Sequence, residues 1–246
     1  MKSVAVVWPC LLLLLGCAHV PSGPSPVLAP APPVGTVLQF REVDGFSRTP
    51  LAEVELAVAR SDATGIELAV RVTGEPLSGL RSGQTQRYAD AWTVLEDAVY
   101  YRPQRYEPGL PLLAGPADGT RTWFRSSVTR AQPSRPEQWT ALVRFAGWED
   151  VTVPAGTYRA ARYERFISFF NDDPFRWRTE RRETLWYAPE VGFWVKRQLT
   201  GTYVRPPWTR TRRGGGDILR EDWLVWELQA VRAPSGARTE GVPAVP

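Results

Sequence analysis

The sequence predicts an all-β protein whose antiparallel meander forms a curved sheet, a half-barrel or a sandwich, with little helix outside the N-terminal residues. Apolar side chains recur at every second position through most of the chain, which is the period of a strand with one buried face. The 20 Gly and 23 Pro separate these runs and supply turns. A meander must hide its two edge strands, by curling into a barrel or half-barrel or by packing as a sandwich.

The alternation locates the individual strands. Apolar and polar residues alternate over residues 54–58 and again over 66–72, and turn residues 61–65 lie between them, so we predict a hairpin. Further strands are predicted over residues 139–145, 193–203 and 224–230.

Residues 89–101 are ambiguous. Trp92, Leu95 and Val99 fit one face of a helix, whereas residues 94–95 followed by 99–101 fit a tight hairpin. We predict strands here, because the chain around this segment has the period of strands.

The first nineteen residues are typical of an exported protein. Met1-Lys2 gives a positive start, and the apolar run over residues 4–15 is too short to span a bilayer but suits a secretory signal. The run ends in Leu14-Leu15-Gly16-Cys17, which resembles a bacterial lipobox. The resemblance implies that residues 1–16 are a lipoprotein signal peptide and that Cys17 becomes an acylated N-terminus. An ordinary secretory signal with an incidental Cys, or a short buried helix, are the alternatives.

The same resemblance indicates a membrane. In many Gram-negative lipoproteins an Asp after the acylated Cys retains the protein in the inner membrane, and Ala18 stands there in this chain. We therefore expect outer-membrane sorting, with the lipid anchor holding the protein stably because it carries more than one acyl chain.

The remaining chain divides into a linker, a domain and a tail. Residues 20–36 contain six Pro, which neither a helix nor a central strand accommodates, so residues 17–36 are predicted to be an extended tether. Residues 37–232 are predicted to be a single β domain, large enough to fold without disulfides or metals. Residues 233–246 are expected to be a disordered tail.

Composition excludes several kinds of chemistry. Cys10, Cys17 and His19 are the chain's two Cys and one His, so the domain has no thiol or imidazole for a zinc site, a disulfide or a catalytic triad. The pairs Glu149-Asp150 and Asp172-Asp173 are adjacent residues beside turns, where carboxylates serve backbone hydrogen bonding. We predict neither an enzyme nor a metal or cofactor site. A net charge of +4, together with export, argues against nucleic acid.

Two turn motifs carry a resemblance to a known family. Val153–Tyr158 reads Val-Pro-Ala-Gly-Thr-Tyr, and Trp186–Gly192 reads Trp-Tyr-Ala-Pro-Glu-Val-Gly before a basic strand. The pattern resembles a largely uncharacterised group of exported bacterial proteins, many of them lipoproteins, that share a domain of unknown function. The resemblance spans about residues 110–226. It implies a β domain in the cell envelope and carries over no catalytic residue.

Aromatic and Arg side chains crowd residues 158–194. If exposed, they would stack on sugar rings or bind anionic lipid heads. If the aromatic side chains are buried, they fill a barrel, while the Arg residues line its wet face in cross-strand pairs with Glu164, Glu180 and Glu183. The candidate ligand-facing residues are Tyr163, Phe166, Phe169, Trp177, Trp186 and Trp194.

These observations predict a membrane-anchored periplasmic lipoprotein with a non-catalytic binding or scaffolding role in the cell envelope. The domain would lie in the periplasm or on the cell surface. A carrier or receptor for lipid or lipidated protein in an open β-barrel is the first alternative, and a polysaccharide- or peptidoglycan-binding module is the second. The expected partners are the membrane, through the anchor, and a lipid, a glycan or an envelope protein.

Overall fold

The protein is all-β, as the sequence predicts. A computed structural model describes residues 28–130, 135–171, 173, 175–206 and 217–234. The predicted signal peptide, Cys17 and most of the predicted tail lie outside these residues. The described strands are β1 Val37–Asp44, β2 Pro50–Asp62, β3 Gly65–Gly74, β4 Thr85–Tyr88, β5 Thr93–Asp97, β6 Gln104–Pro111, β7 Thr122–Arg130, β8 Glu137–Val153, β9 Gly156–Phe170, β10 Arg178–Ala188, β11 Phe193–Val204 and β12 Ile218–Arg232.

The strands form a closed antiparallel barrel in which each strand pairs with its neighbours in sequence. Closure comes from β1, which pairs with β2 on one side and with β12 on the other. The meander is therefore neither a half-barrel nor a sandwich. Closure satisfies the hydrogen bonds of both edges, which is the physical reason that a long meander curls.

The barrel has two ends that differ in their connections. Consecutive antiparallel strands alternate in direction, so every second connection lies at the same end of the barrel. We call distal the end that holds the connections β1–β2, β3–β4, β5–β6, β7–β8, β9–β10 and β11–β12. At the proximal end, residues 28–36 lead into β1. They pack against the β10–β11 turn, where the hydroxyl of Tyr187 donates to the carbonyl of Ala29 at 3.3 Å. The tether predicted from the Pro residues therefore joins the barrel at its proximal end.

Both turn motifs form turns, as predicted. Pro154 and Ala155 connect β8 to β9, and Gly156 has φ of +143°, which is strained for a residue with a side chain. Gly192 ends the second turn with φ of +68°, and a Cβ there would lie 2.6 Å from the carbonyl oxygen of Pro30. This second glycine is required because the incoming N-terminal segment passes so close to it.

Residues 89–101 are only partly strands. Asp90–Trp92 form a 3₁₀ turn and β5 follows, but β6 begins at Gln104, so the predicted strand over residues 99–101 is wrong. Val99 and Tyr100 instead belong to the β5–β6 connection and are buried in the barrel. Their apolar character reflects this burial in a loop and not the period of a strand.

The barrel interior is filled with side chains, and its two halves differ. Aromatic rings pack in both halves: the ring centroids of Phe40 and Trp194 are 4.2 Å apart toward the proximal end, and those of Trp139 and Phe169 are 4.1 Å apart toward the distal end. Buried polar residues concentrate toward the distal end: Glu42, Gln86, Asp97, Gln104, Glu137, Arg181 and Glu221. Among the described residues, no helix has the length and apolar character needed to cross a membrane.

Candidate functional site

A group of charged residues lies inside the barrel. Arg165 on β9 stands directly opposite Glu183 on β10, and Arg197 on β11 reaches the same carboxylate diagonally. One oxygen of Glu183 accepts from Arg197 Nη2 at 2.9 Å and the other accepts from Arg165 Nη1. All three side chains are at most 1% exposed. We call Arg165, Glu183 and Arg197, with Asp97, the buried charge cluster.

The two carboxylates of this cluster differ in pKa. Burial alone would raise the pKa of Glu183, but the adjacent guanidinium groups of Arg197 and Arg165 outweigh it and hold the pKa at about 2. Asp97 is further from this ion pair, and burial raises its pKa to about 6 against the opposing effect of Arg197. The Tyr106 hydroxyl donates to Asp97 at 3.2 Å. Glu183 therefore stays ionised at all ordinary pH values, whereas Asp97 titrates just below neutrality.

A pocket opens at the distal end of the barrel, above the buried charge cluster. Its volume is about 470 Å³, within the usual range for small-ligand sites. We call it the distal pocket; its lining residues are Tyr100, Tyr101, Arg102, Gln104, Arg130, Asn171, Asp173, Arg176 and Arg181. Tyr100 links the two sites, because its hydroxyl also hydrogen-bonds to Glu183. Four of the nine lining residues are Arg and one is an acid, so the pocket presents mainly cationic donors.

Two of these arginines are fixed by one carboxylate. Glu221 on β12 accepts a hydrogen bond from Arg176 at 2.9 Å and forms an ion pair with Arg181 at 3.2 Å, and its side chain is only 3% exposed. The guanidinium of Arg181 lies 4.6 Å from the ring centroid of Tyr100, and that of Arg176 lies 4.9 Å from the ring of Tyr203. Stacking on rings and a shared carboxylate hold both groups in place without using all of their N–H donors.

The guanidinium of Arg181 is almost completely buried. Its side chain is 4% exposed, and its Nε has no hydrogen-bond partner in the described part of the chain, which costs about 1–3 kcal/mol. Arg102 is exposed and Arg176 is half-buried, and both line the pocket with guanidinium donors. The chemistry of the pocket therefore suits a phosphate, carboxylate or sulfate, to which guanidinium groups bind through two parallel hydrogen bonds.

The six predicted ligand-facing residues do not come together. Tyr163, Phe169 and Trp194 are buried inside the barrel. Phe166 and Trp186 lie on the outer face at even positions of β9 and β10, and Trp177 is exposed in the β9–β10 connection at the distal end. Side chains separated by an odd number of residues along a strand face opposite sides, so this set could not line one surface.

The prediction that Arg and Glu pair across the wet face holds for part of the set. Arg144 on β8 bonds across the strands to Glu164 on β9 on the outer face, whereas Glu180 pairs with Arg178 of its own strand. The prediction is wrong for Glu183, which pairs with Arg165 inside the barrel. The alternation of apolar and polar residues assigns apolar side chains to a face of the sheet. It did not indicate on which face this pair of charged residues lies.

The predicted carboxylate pairs show no shared site. Glu149 binds Arg162 and the indole N–H of Trp186, while Asp150 binds Arg159. Asp172 lies outside the described residues. Over those residues there is no group of three or more His, Cys, Asp or Glu side chains that could hold a metal ion.

The sequence analysis missed the residues of the distal pocket. Arg176 and Arg181 fell within a segment singled out for its Arg content, but nothing assigned them to one site. A usable indication was present in β10, where Thr179, Arg181 and Glu183 occupy the same face as Leu185. Charged residues on the same face of a strand as a buried Leu indicate that the interior of the barrel is partly polar. Tyr101 and Glu221 come from distant strands and connections, and only the closed barrel brings them to the pocket.

Two solved structures resemble this chain in fold. A predicted lipoprotein from Parabacteroides distasonis matches with a TM-score of 0.45 and 10% identity, over 82% of this chain and 97% of its own. A predicted exported protein with a YmcC-like fold from Bacteroides fragilis matches with a TM-score of 0.41 and 9% identity, over 84% of this chain and 100% of its own. No family model matches the chain, and no curated protein matches it significantly. The resemblance of the two turn motifs to a family of exported proteins therefore stays a prediction.

Proposed function

We propose that this protein is a lipid-anchored, non-catalytic binding protein of the bacterial cell envelope, and that the distal pocket holds an anionic group of its ligand. The observation that carries the proposal is the arrangement of Arg176 and Arg181. Both are held by Glu221, and both line a pocket of about 470 Å³ whose wall carries two further guanidinium groups.

Electrostatics supports an anion in this place. Arg102 and Arg130 add two further guanidinium groups to the wall, and Asp173 is the one acid among the lining residues. Behind the floor of the pocket, Arg165 and Arg197 face Glu183, and Asp97 is neutral below about pH 6. The buried carboxylates Glu137, Glu183 and Glu221 are each ion-paired with Arg, so they add little unopposed negative potential.

The filled interior favours binding at the end of the barrel over a carrier that encloses an acyl chain. Trp139 and Trp226 are among the largest fully buried side chains, and Phe169 stacks on Trp139 with ring centroids 4.1 Å apart. A lipid tail would have to displace such rings, and the packing they lose would cost several kcal/mol.

Titration with inorganic phosphate tests the pocket. We expect calorimetry to show saturable binding beyond that of chloride at equal ionic strength. Phosphate at about ten times its dissociation constant should stabilise the fold by about 1.4 kcal/mol, because it binds only the folded chain. Arg181→Met should weaken binding about tenfold, since it removes a guanidinium that faces the anion.

Two further variants complete this test, one in the pocket and one outside it. Arg102→Gln changes an exposed side chain of the pocket, so it should weaken binding without endangering folding. Arg71→Gln is the matched control, because this Arg lies on β3 with 77% of its side chain exposed and does not line the distal pocket. Equal phosphate affinity in all four proteins would count against the pocket.

The anchor is tested by Cys17→Ser. We expect this variant to leave the membrane fraction of the producing bacterium, because the acyl chains on Cys17 supply the stable attachment. Cys10→Ser, inside the predicted signal peptide, is the control and should fractionate like the unaltered protein. If Cys17→Ser stays with membranes after a wash at about 1 M salt, where electrostatic attraction is screened beyond ~3 Å, then acylation is not the anchor.

A further inference from the structure

The two ends of the barrel expose different amounts of apolar surface. Ten large apolar side chains are exposed in the described ranges of the chain, and seven of them lie at the distal end. We call these seven the apolar rim: Phe46, Leu77, Tyr101, Phe170, Phe175, Trp177 and Ile218. The other three are Val34, Trp123 and Val231, on the outer wall or near the proximal end.

The apolar rim surrounds the mouth of the barrel. Its members come from the β1–β2, β3–β4, β5–β6 and β9–β10 connections and from the adjoining ends of β9 and β12. Phe170 and Trp177 form a pair, with ring centroids 6.2 Å apart, and Phe46 lies edge-on to Trp223 at 5.6 Å. The exposed side chains thus project from several different connections and strand ends around the mouth.

Exposed positive charge accompanies these projections. The exposed Arg side chains at the distal end are Arg48, Arg81, Arg102, Arg135, Arg178, Arg205 and Arg220. Glu75 is an exposed carboxylate at this end, while Asp44, Asp173, Glu180, Asp217 and Asp222 are half-buried, and Glu180 pairs with Arg178. The distal end therefore combines aromatic side chains with an excess of exposed guanidinium groups.

We propose that the distal end of the barrel docks on a lipid surface that carries anionic headgroups. Aromatic side chains favour the boundary between headgroups and acyl chains, and each nearby Arg is attracted to an anionic leaflet. A ring of projections suits a lipid surface, because lipids rearrange around each projection. A protein partner would need a continuous complementary face. This docking goes beyond the proposed anion pocket; of the residues that carry it, Tyr101 and Arg102 also line that pocket.

Vesicle flotation tests the docking. The probe is the full chain carrying Cys17→Ser, so that no acyl anchor contributes, mixed with vesicles of phosphatidylglycerol and phosphatidylcholine in equal parts. We expect binding that falls at high salt and that is at least about tenfold weaker for vesicles of phosphatidylcholine alone. Phe175→Ser with Trp177→Ser should weaken binding about tenfold or more, because two aromatic side chains no longer enter the interface.

The control is Val34→Ser with Trp123→Ser in the same background. It removes two side chains of comparable exposure, 52% and 65%, from outside the rim, and should leave vesicle binding unchanged. Equal loss in the two double variants, no dependence on phosphatidylglycerol, or no binding by the parent chain would each overturn the docking. Phosphate affinity separates this proposal from the pocket, because Phe175 and Trp177 do not line the pocket and their replacement should not change it.

Discussion

Replacement of Glu183 by Gln is expected to lower the free energy of unfolding by about 3–5 kcal/mol, because it leaves two buried guanidinium groups without their shared carboxylate. Glu183 is fully buried and accepts from Arg165, Arg197 and Tyr100. A neutral amide accepts through one oxygen only and turns an NH₂ group toward a donor. Arg165 Nε and Nη2 and Arg197 Nε already have no partner in the described residues, so these arginines have no other hydrogen bonds to compensate for the loss.

Denaturant unfolding of two matched variants checks this explanation. Glu164→Gln breaks the pair with Arg144 on the outer face, where both side chains are about one-third exposed, and should cost at most about 1 kcal/mol. Replacing Arg165, Glu183 and Arg197 together by Met should restore much of the stability near pH 5, where Asp97 is protonated and no unpaired charge remains. If Glu183→Gln and Glu164→Gln have the same unfolding midpoint, the buried charge cluster does not stabilise the fold in this way.

Asp97→Asn is expected to stabilise the protein above neutral pH and to leave it unchanged in mild acid. The pKa of Asp97 is about 6 when folded, above its usual 3.8, because burial disfavours the charge. The folded state therefore binds an extra proton between about pH 4 and pH 6, and the free energy of unfolding falls as pH rises through this range. The total loss is about 3 kcal/mol, at about 1.4 kcal/mol for each unit of pKa shift.

The measurement is the free energy of unfolding at about pH 5 and pH 8 for both proteins. Asn imitates the protonated acid, so the two proteins should agree near pH 5, and the variant should be more stable near pH 8. Glu183 does not confuse the result, because its lowered pKa of about 2 adds stability that is lost only below about pH 4.5. A variant less stable than the parent at pH 8 would mean that Asp97 acts as a needed counter-charge for Arg197.

The amino-acid sequence by itself determined the class of fold and many of its turns. Alternation over residues 54–58, 66–72 and 139–145 predicted strands that the structure contains, because a pleated strand with one buried face imposes a period of two. The turn at Gly156 followed from the conformational freedom of glycine. The same local logic failed at residues 99–101, since burial in a loop leaves apolar residues without a period.

Only the tertiary structure decided that the meander closes and what its closure assembles. Pairing of β1 with β12 joins residues nearly two hundred positions apart, and no local pattern specifies it. Closure turned Arg165, Arg181, Glu183 and Arg197 inward and brought Glu221 beside Arg176. The alternation along a strand does not decide which face its charged side chains occupy; that is decided when the sheet closes and gains an interior. The distal pocket and the buried charge cluster therefore follow from closure and not from the period of the strands.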